Sequence, residues 1–186
     1  VMDIMNLGRL GPEAIPALER ALQHQNISVR QAAVPALGQI GADALPALEK
    51  ASKHEDRQVC WNVPRALGPI GPAALPLLEK LIRHEASTVR RSALSSIAQA
   101  GPEGIPILEA AIQSQDTEIR AGVANMLGEM GPEGVPLLAI ALQDEASTVR
   151  ASAERNAGKT GAAGMLLVEQ ARQKAPSHHG PIPLHT

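Results

Sequence analysis

The sequence predicts an all-α protein, a solenoid of helical hairpins that each occupy thirty residues. A glycine, usually followed by proline, recurs at this interval at Gly11, Gly41, Gly71, Gly101, Gly131 and Gly161. A β-branched residue followed by arginine recurs between these glycines, at positions 29–30, 89–90, 119–120 and 149–150. A repeat of this length is one supersecondary unit that cannot bury its apolar face alone, so the copies must stack on one another.

The repeat divides the chain into predicted units. The array covers residues 11–174, and its predicted units are 11–40, 41–70, 71–100, 101–130, 131–160 and the half-repeat 161–174. Residues 1–10 match the end of a repeat and are predicted to be the second helix of an incomplete unit, either a cap or part of a longer chain. Residues 175–186 contain three prolines and two adjacent histidines and are predicted to be a flexible tail.

The first helix of each hairpin is predicted from its glycine and prolines. Gly11 ends the preceding helix, where a residue with positive φ is easiest to place. Pro12 and Pro16 fit only in or near a first turn, so we expect the helix to begin as a 3₁₀ turn around Pro12–Ile15. Leu18 and Leu22 then follow at helical spacing.

The second helix is predicted from capping residues and an apolar stripe. The expected N-caps are Asn26, Asp56 and Asp116, or one position later Ser87 and Ser147. The buried stripe of the first copy is predicted to be Val29, Ala33, Leu37 and Ile40. Small residues near the helix end would let neighbouring second helices approach closely; they are Gly38, Gly68, Ala98, Gly128 and Gly158.

Composition bounds what such a solenoid can do. The chain has one Trp and no Phe or Tyr, so its core must consist of aliphatic side chains and Met. A net charge of −2 lacks the cationic surplus that nucleic-acid binding needs, so nucleic acid is not the expected partner. Cys60 is the sole cysteine, and no run reaches the roughly 20 apolar residues of a membrane span. We therefore expect a soluble, cytoplasmic protein with no membrane contact.

The pattern GPEAIPALERAL…VRQAAVPALGQIG resembles HEAT repeats, specifically the short bacterial variety named after phycobilin lyase subunits, over residues 11–160. The resemblance implies a right-handed solenoid, with first helices outside and second helices lining a concave inner face, that serves as a protein-binding scaffold. It also implies a structural ladder formed by Arg30, Arg90, Arg120 and Arg150. Each arginine would pair with an acidic or amide residue at the head of a second helix, such as Asp116; the alternative is an anion-binding stripe.

Trp61 is the main candidate for partner binding. It follows Val59 by two positions, about 200° around the helix, so it should point away from the buried stripe. A large ring on an open surface is a natural binding anchor. The alternative is that Trp61 packs on a nearby proline and fills a gap. The full set of partner-binding candidates is Trp61, Arg65, Arg91, Val34, Leu94 and Gln31.

The recurring histidines His24, His54 and His84 raise the question of metal binding. The pairs His54-Glu55 and His84-Glu85 are similar to those with which deoxyhypusine hydroxylase holds two irons, but here they precede the Val-Arg position instead of following it. Stacked helices lie ~8–10 Å apart and metal–nitrogen bonds are ~2.0–2.1 Å, so members of the column cannot readily share an ion. We interpret the column as cations near helix C-termini and predict no metal, cofactor or catalytic residue.

The predicted function is a non-catalytic protein–protein interaction scaffold that binds a polypeptide on its concave second-helix face. Residues 41–100 carry eight Lys or Arg and six Asp or Glu, whereas residues 101–150 carry two and eight, and this polarity could orient a partner. The alternative is an enzyme or enzyme subunit, either bilin lyase-like or a metal-dependent hydroxylase. DNA binding is a third and weaker alternative.

Overall fold

The computed structural model describes residues 4–174, and these residues form helices and turns with no strand. The predicted all-α solenoid is confirmed. Helices alternate along the chain in antiparallel pairs, and each pair packs against the next. The predicted tail, residues 175–186, and residues 1–3 lie outside the described residues.

Two rows of helices make up the solenoid. The first helices of the hairpins are α2 (Ile15–Leu22), α4 (Leu45–Ala51), α6 (Leu75–Leu81), α8 (Ile105–Ala111), α10 (Val135–Ala141) and α12 (Ala162–Lys174). The second helices are α1 (Ile4–Leu7), α3 (Ile27–Ile40), α5 (Arg57–Leu67), α7 (Ser87–Gln99), α9 (Thr117–Met126) and α11 (Ser147–Ala157).

Glycine and proline set the junction between hairpins. The six predicted junction glycines all have positive φ, from 60° at Gly131 to 92° at Gly41. A 3₁₀ turn follows each of the first three, as at Pro12–Ala14. The expected 3₁₀ start of the first helix is therefore confirmed. The second proline of each repeat, such as Pro16, lies in the first turn of the α-helix, where its missing N–H leaves no bond unmade.

The turn within each hairpin is closed by a side chain, although not always by the predicted one. The carboxylate or amide oxygens of Asn26, Asp56 and Asp116 accept from the amide two residues on, as predicted for an N-cap. The prediction of serine caps for α7 and α11 is wrong, since Ala86 and Ala146 stand at those N-caps. The side chains of His84 and Asp144 accept from those alanine amides, and His24, His54 and Ser114 accept from the N-cap amides of the other three turns in the same way.

The core runs the length of the solenoid between the two rows. Leucines of the first helices and large aliphatic residues of the second helices are almost fully buried; the most buried are Leu18, Leu48, Leu78, Leu108, Leu37, Leu67, Ile97 and Leu127. Burying each such side chain contributes ~1.5–3 kcal/mol relative to leaving it exposed. Because each contacts side chains of the adjacent hairpin, no hairpin buries its apolar face alone.

The second helices approach each other more closely than the first helices do. A Cβ atom at Gly38 of α3 would stand 2.7 Å from the carbonyl oxygen of Ala66 in α5, so only glycine fits there. Successive second helices pack extensively, whereas successive first helices touch mainly through exposed pairs such as Lys50–Glu19. Such exposed pairs contribute little stability. The tight row of second helices therefore forms the continuous surface on which a partner could lie.

Candidate functional site

One face of α5 is open while the opposite face is core. Val59, Val63 and Leu67 are 0% exposed, whereas Trp61 is 40% exposed. Arg65 lies one helical turn after Trp61 and is also exposed. The 3.6-residue period places Trp61 and Arg65 on the same side of the helix, away from the buried valines.

The same positions of the other second helices extend this surface, which we call the second-helix face. Its members lie at the positions of Trp61 and Arg65 in each hairpin: Gln31, Pro35, Trp61, Arg65, Arg91, Ser95, Ala121, Asn125, Ala151 and Arg155. All of them are exposed or half-buried. The face therefore changes from uncharged at α3, through cationic at α5 and α7, to neutral at α9, and Arg155 adds a further cation at α11.

Two grooves cross the second-helix face on either side of Arg65. The groove between α3 and α5 has a volume of about 490 Å³ and includes Pro35 and Asn62 in its lining. The groove between α5 and α7 has a volume of about 540 Å³ and includes Ser92 and Gln99 in its lining. Arg65 and Pro69 line both grooves. Neither Asn62 nor Pro69 was predicted, although the helical period counted from Trp61 places both near Arg65.

Two predicted binding residues are not available on this face. Val34 is 0% exposed and Leu94 is 1% exposed, so the prediction that they contact a partner is wrong. Each second helix is flanked by its own first helix and by second helices on both sides. Its buried arc is therefore wider than one stripe, and in α3 it includes four of the five residues 33–37. Gln31 is half-buried, and Arg91 is exposed.

Unpaired cations lie beside Trp61, and carboxylates lie further along. Within residues 4–174, neither Arg65 nor Arg91 has a carboxylate within ion-pairing distance. On α9, by contrast, Glu118 pairs with the guanidinium of Arg90. Glu129 accepts a hydrogen bond of 2.9 Å from the hydroxyl of Ser95. The acidic groups are therefore engaged within the chain, while the cations of α5 and α7 are open to a ligand.

The arginine column lies at the edge of the solenoid, in the turns between first and second helices. Arg30 pairs with Asp56 of the next hairpin, and Arg120 pairs with Asp144 of the next. The expected pairing with Asp116 is wrong, because Arg90 reaches Glu118, two residues further on. Hydrogen bonds from the arginines hold the pKa values of Asp56 and Asp144 below their ordinary range.

Arg150 differs from the other arginines of the column. Its guanidinium donates to the carbonyl oxygens of Asp144 and Glu145 in its own turn, and no carboxylate of the described residues pairs with it. Cys60 occupies the equivalent position in α5. Its thiol is buried and donates to the carbonyl oxygen of His54 at 2.8 Å, and burial raises its pKa.

The histidine column also belongs to the turns. The Nδ1 atoms of His54 and His84 accept backbone amides, and their Nε2 atoms lie 3.0 and 3.2 Å from carbonyl oxygens of the preceding hairpin. Because Nδ1 accepts, Nε2 carries the proton and donates, which leaves no lone pair for a metal. In the described part of the chain, no three His, Cys, Asp or Glu side chains come together to hold an ion.

None of the helices in residues 4–174 has the length and apolar character that crossing a membrane requires. The family described as HEAT repeats matches the chain over residues 4–60, 36–98 and 74–158. These overlapping matches cover most of the sequence. No curated protein matches significantly.

Solved structures of helical-repeat proteins resemble the chain. Human deoxyhypusine hydroxylase in complex with glycerol is 24% identical, with a TM-score of 0.45, over 93% of this chain and 72% of that one. The complex of CpcE and CpcF of phycocyanin lyase from Nostoc sp. PCC7120 is 24% identical, with a TM-score of 0.41, over 90% and 72%. The archaeal HEAT-like repeats protein from Thermococcus onnurineus NA1 is 14% identical, with a TM-score of 0.49, over 97% and 87%. Similarities at this level say nothing about which activity a chain has.

Proposed function

The chain belongs to the HEAT repeat family, and on that premise we propose that it is a non-catalytic scaffold that binds a polypeptide partner along its second-helix face. A rigid row of helices with an open, continuous surface suits binding to an extended or helical segment. The segment would cross the grooves on either side of Arg65.

The exposure of Trp61 carries this proposal. It is the sole aromatic residue of Trp, Tyr or Phe type in the chain, and yet it is 40% exposed instead of filling the core. Tryptophan and arginine are the residue types most enriched among those that dominate binding energy at protein interfaces. Here Arg65 lies one turn after Trp61 on α5, and Arg91 occupies the position equivalent to Trp61 on α7, so the three together form an anchor with a defined chemical preference.

That preference is for a segment with an apolar side chain flanked by carboxylates. The apolar side chain would cover the ring of Trp61, and a carboxylate would form a two-pronged hydrogen bond with Arg65 or Arg91. The carboxylates of Glu118 in α9 and of Glu129, three residues after the end of α9, would repel those of the segment at the far end. The partner would therefore bind in one orientation, with its acidic part over α5 and α7.

The carboxylates whose pKa values are lowered support a binding role over a catalytic one. The pKa of Glu49 is lowered by a hydrogen bond from Lys80, between two first helices. Asp56 and Asp144 owe their lowered pKa values to the arginines that cross between turns. Each of these three shifts is explained by an ion pair that joins neighbouring hairpins, and none of the three groups lies on the second-helix face.

Selection from a random peptide library, followed by affinity measurement, tests the proposal. The fluorescence of Trp61 reports binding directly, because no other tryptophan contributes to the emission. We expect selected peptides to be rich in Asp and Glu around an apolar residue. Replacing Trp61→Ala or Arg91→Ala should weaken binding at least about tenfold, the loss of roughly 1.4 kcal/mol.

The matched control is Arg83→Ala, which removes an exposed arginine that follows a first helix. This variant should bind the selected peptides as tightly as the unmodified protein does. If peptides bind the Trp61→Ala and Arg91→Ala variants with unchanged affinity, the second-helix face is not the binding surface.

A further inference from the structure

Four turns of the solenoid hold a guanidinium group in the same way. In each, Nη1 of the arginine donates to two successive carbonyl oxygens of the turn that precedes its own helix. These distances are 2.7 and 2.9 Å for Arg30, 2.9 and 2.8 Å for Arg90, 2.8 and 3.2 Å for Arg120, and 2.7 and 2.7 Å for Arg150. Two adjacent carbonyl oxygens at this spacing form a ready acceptor for a planar donor.

The hairpin α4–α5 has the same turn but not the arginine. The carbonyl oxygens of His54 and Glu55 correspond to the acceptors in the other four turns, and Cys60 stands where the arginine would be. The thiol reaches only His54. Among the described residues, no donor is found for the carbonyl oxygen of Glu55.

A cavity of about 700 Å³ occupies the place that the guanidinium fills in the other turns. Its lining contains the counterparts of every residue that the arginines contact. His54 and Glu55 correspond to the carbonyl acceptors, and Ala86 corresponds to Asp56, the carboxylate partner of Arg30. Thr88 corresponds to Glu118, the partner of Arg90, while Glu85 corresponds to Glu145.

The charged side chains of the lining are balanced. Glu55 and Glu85 line the cavity, and so do Lys53 and Arg57. The net charge of the lining therefore does not determine which ligand binds. The ligand is selected by those polar groups of the lining whose positions are fixed. The fixed groups are the backbone carbonyls, since the rings of the two histidines are engaged within the turns. A ligand must consequently supply several donors in one plane, with a carboxylate such as that of Glu85 as its counter-charge.

We propose that this cavity binds the guanidinium group of an arginine side chain presented by a partner polypeptide. The arginine from outside would complete the arginine column, donating to the carbonyl oxygens of His54 and Glu55 as Arg30 does one hairpin earlier. A lysine ammonium lacks the planar fork and would be a poorer ligand. The proposal takes from the proposed function only the source of the arginine, because the site lies in the turns and not on the second-helix face.

The first test introduces a guanidinium group into the cavity by substitution of Cys60. Cys60→Arg should restore the missing contacts and raise the thermal midpoint above that of the unmodified protein. Cys60→Leu places a larger side chain without hydrogen-bond donors at the same position, and this variant should not have a raised thermal midpoint. If Cys60→Arg is no more stable than Cys60→Leu, the cavity does not accept a guanidinium and the proposal is wrong.

The second test supplies the ligand from outside. N-acetyl-arginine amide, added to isotope-labelled protein, should shift the backbone amide resonances of Glu55, Glu85 and Ala86, with saturation at millimolar concentration. The Cys60→Arg variant should show none of these shifts. N-acetyl-lysine amide, and the citrulline amide that has the same shape without the charge, should shift them at most weakly. Equal shifts with all three amides, or no shift with any, would overturn the proposal.

These tests are independent of the second-helix face. The Trp61→Ala variant should bind N-acetyl-arginine amide normally, because Trp61 does not line the cavity. Loss of peptide binding at the face therefore leaves the cavity proposal standing, and failure of the cavity tests leaves the face proposal standing.

Discussion

Replacing the equivalent glycine of two consecutive second helices with alanine should have unequal effects on stability. Gly38 of α3 and Gly68 at the end of α5 occupy equivalent positions, thirty residues apart. An added Cβ at Gly38 would meet the backbone carbonyl oxygen of Ala66 at 2.7 Å and its Cβ at 3.0 Å. At Gly68 the nearest atom would be the Ser96 hydroxyl oxygen at 3.6 Å, an ordinary contact.

The magnitudes follow from two opposing effects. Alanine in place of glycine lowers the entropy of the unfolded chain and stabilises a compatible site by ~0.4–1 kcal/mol. Gly68 has helical backbone angles, φ −50° and ψ −53°, but it precedes Pro69, whose ring crowds the Cβ of a preceding residue in that conformation. Gly68→Ala should therefore be close to neutral. Gly38→Ala must push α3 away from α5, and such overpacking costs ~1–3 kcal/mol. The net effect at Gly38 is a loss of ~0.5–2 kcal/mol.

Urea denaturation and thermal melting, followed by circular dichroism, measure both variants. A difference of ~1 kcal/mol corresponds to about 2–4 °C between the two midpoints for a chain of this size. Hydrogen exchange should show that the loss is concentrated in α3 and α5, since stability in repeat proteins is set by nearest-neighbour interfaces. Equal midpoints for the two variants would refute the close approach of these second helices.

Two further predictions concern the arginine column. Arg120→Ala should lower the thermal midpoint more than Arg150→Ala, because Arg120 pairs with a buried carboxylate and Arg150 contacts only carbonyl oxygens; equal losses would mean that the ion pair contributes nothing. The lowered pKa values of Asp56 and Asp144 should make the protein acid-sensitive. A depressed carboxylate pKa stabilises the fold above the unfolded value of about 3.9, and this contribution is lost as the pH falls toward the folded value. Thermal midpoints measured from pH 7 downward should therefore fall most steeply below about pH 4, and Asp144→Asn should flatten that fall while lowering the midpoint at neutral pH.

Local rules predicted the architecture because the chain repeats them. Glycine was expected where the backbone has a positive φ, and proline was expected in the first turns of helices. The aliphatic stripe of each hairpin can be buried only against a neighbouring hairpin. The prediction of serine caps failed because alanine, and not serine, stands at the N-cap positions 86 and 146. The side chain of His84 accepts from the amide of Ala86, as that of His54 accepts from the amide of Asp56, so this bond holds the turn whether or not the N-cap residue has a polar side chain.

The binding surface was predicted less well because burial depends on neighbours in space. Trp61 and Arg65 could be placed on an exposed face from the helical period. Val34 and Leu94 lie only one position before half-buried residues of the second-helix face, Pro35 and Ser95. They are nevertheless buried, because the adjacent second helix covers that side. A single-helix projection cannot show the width of this contact.

The repeats also make it possible to interpret the replacement of the column arginine by Cys60. In a protein without repeats, a cavity beside a buried thiol would have no reference against which to judge its chemistry. Here four other turns show the same two carbonyl acceptors with a guanidinium in place. The geometry of the missing group is therefore defined by the chain itself. The two exceptional residues of α5, Cys60 at the turn and Trp61 on the open face, are adjacent in sequence and point to different surfaces. A partner that reached both would have to wrap from the second-helix face around the turn of the hairpin, so its arginine and its apolar anchor would lie on separate segments.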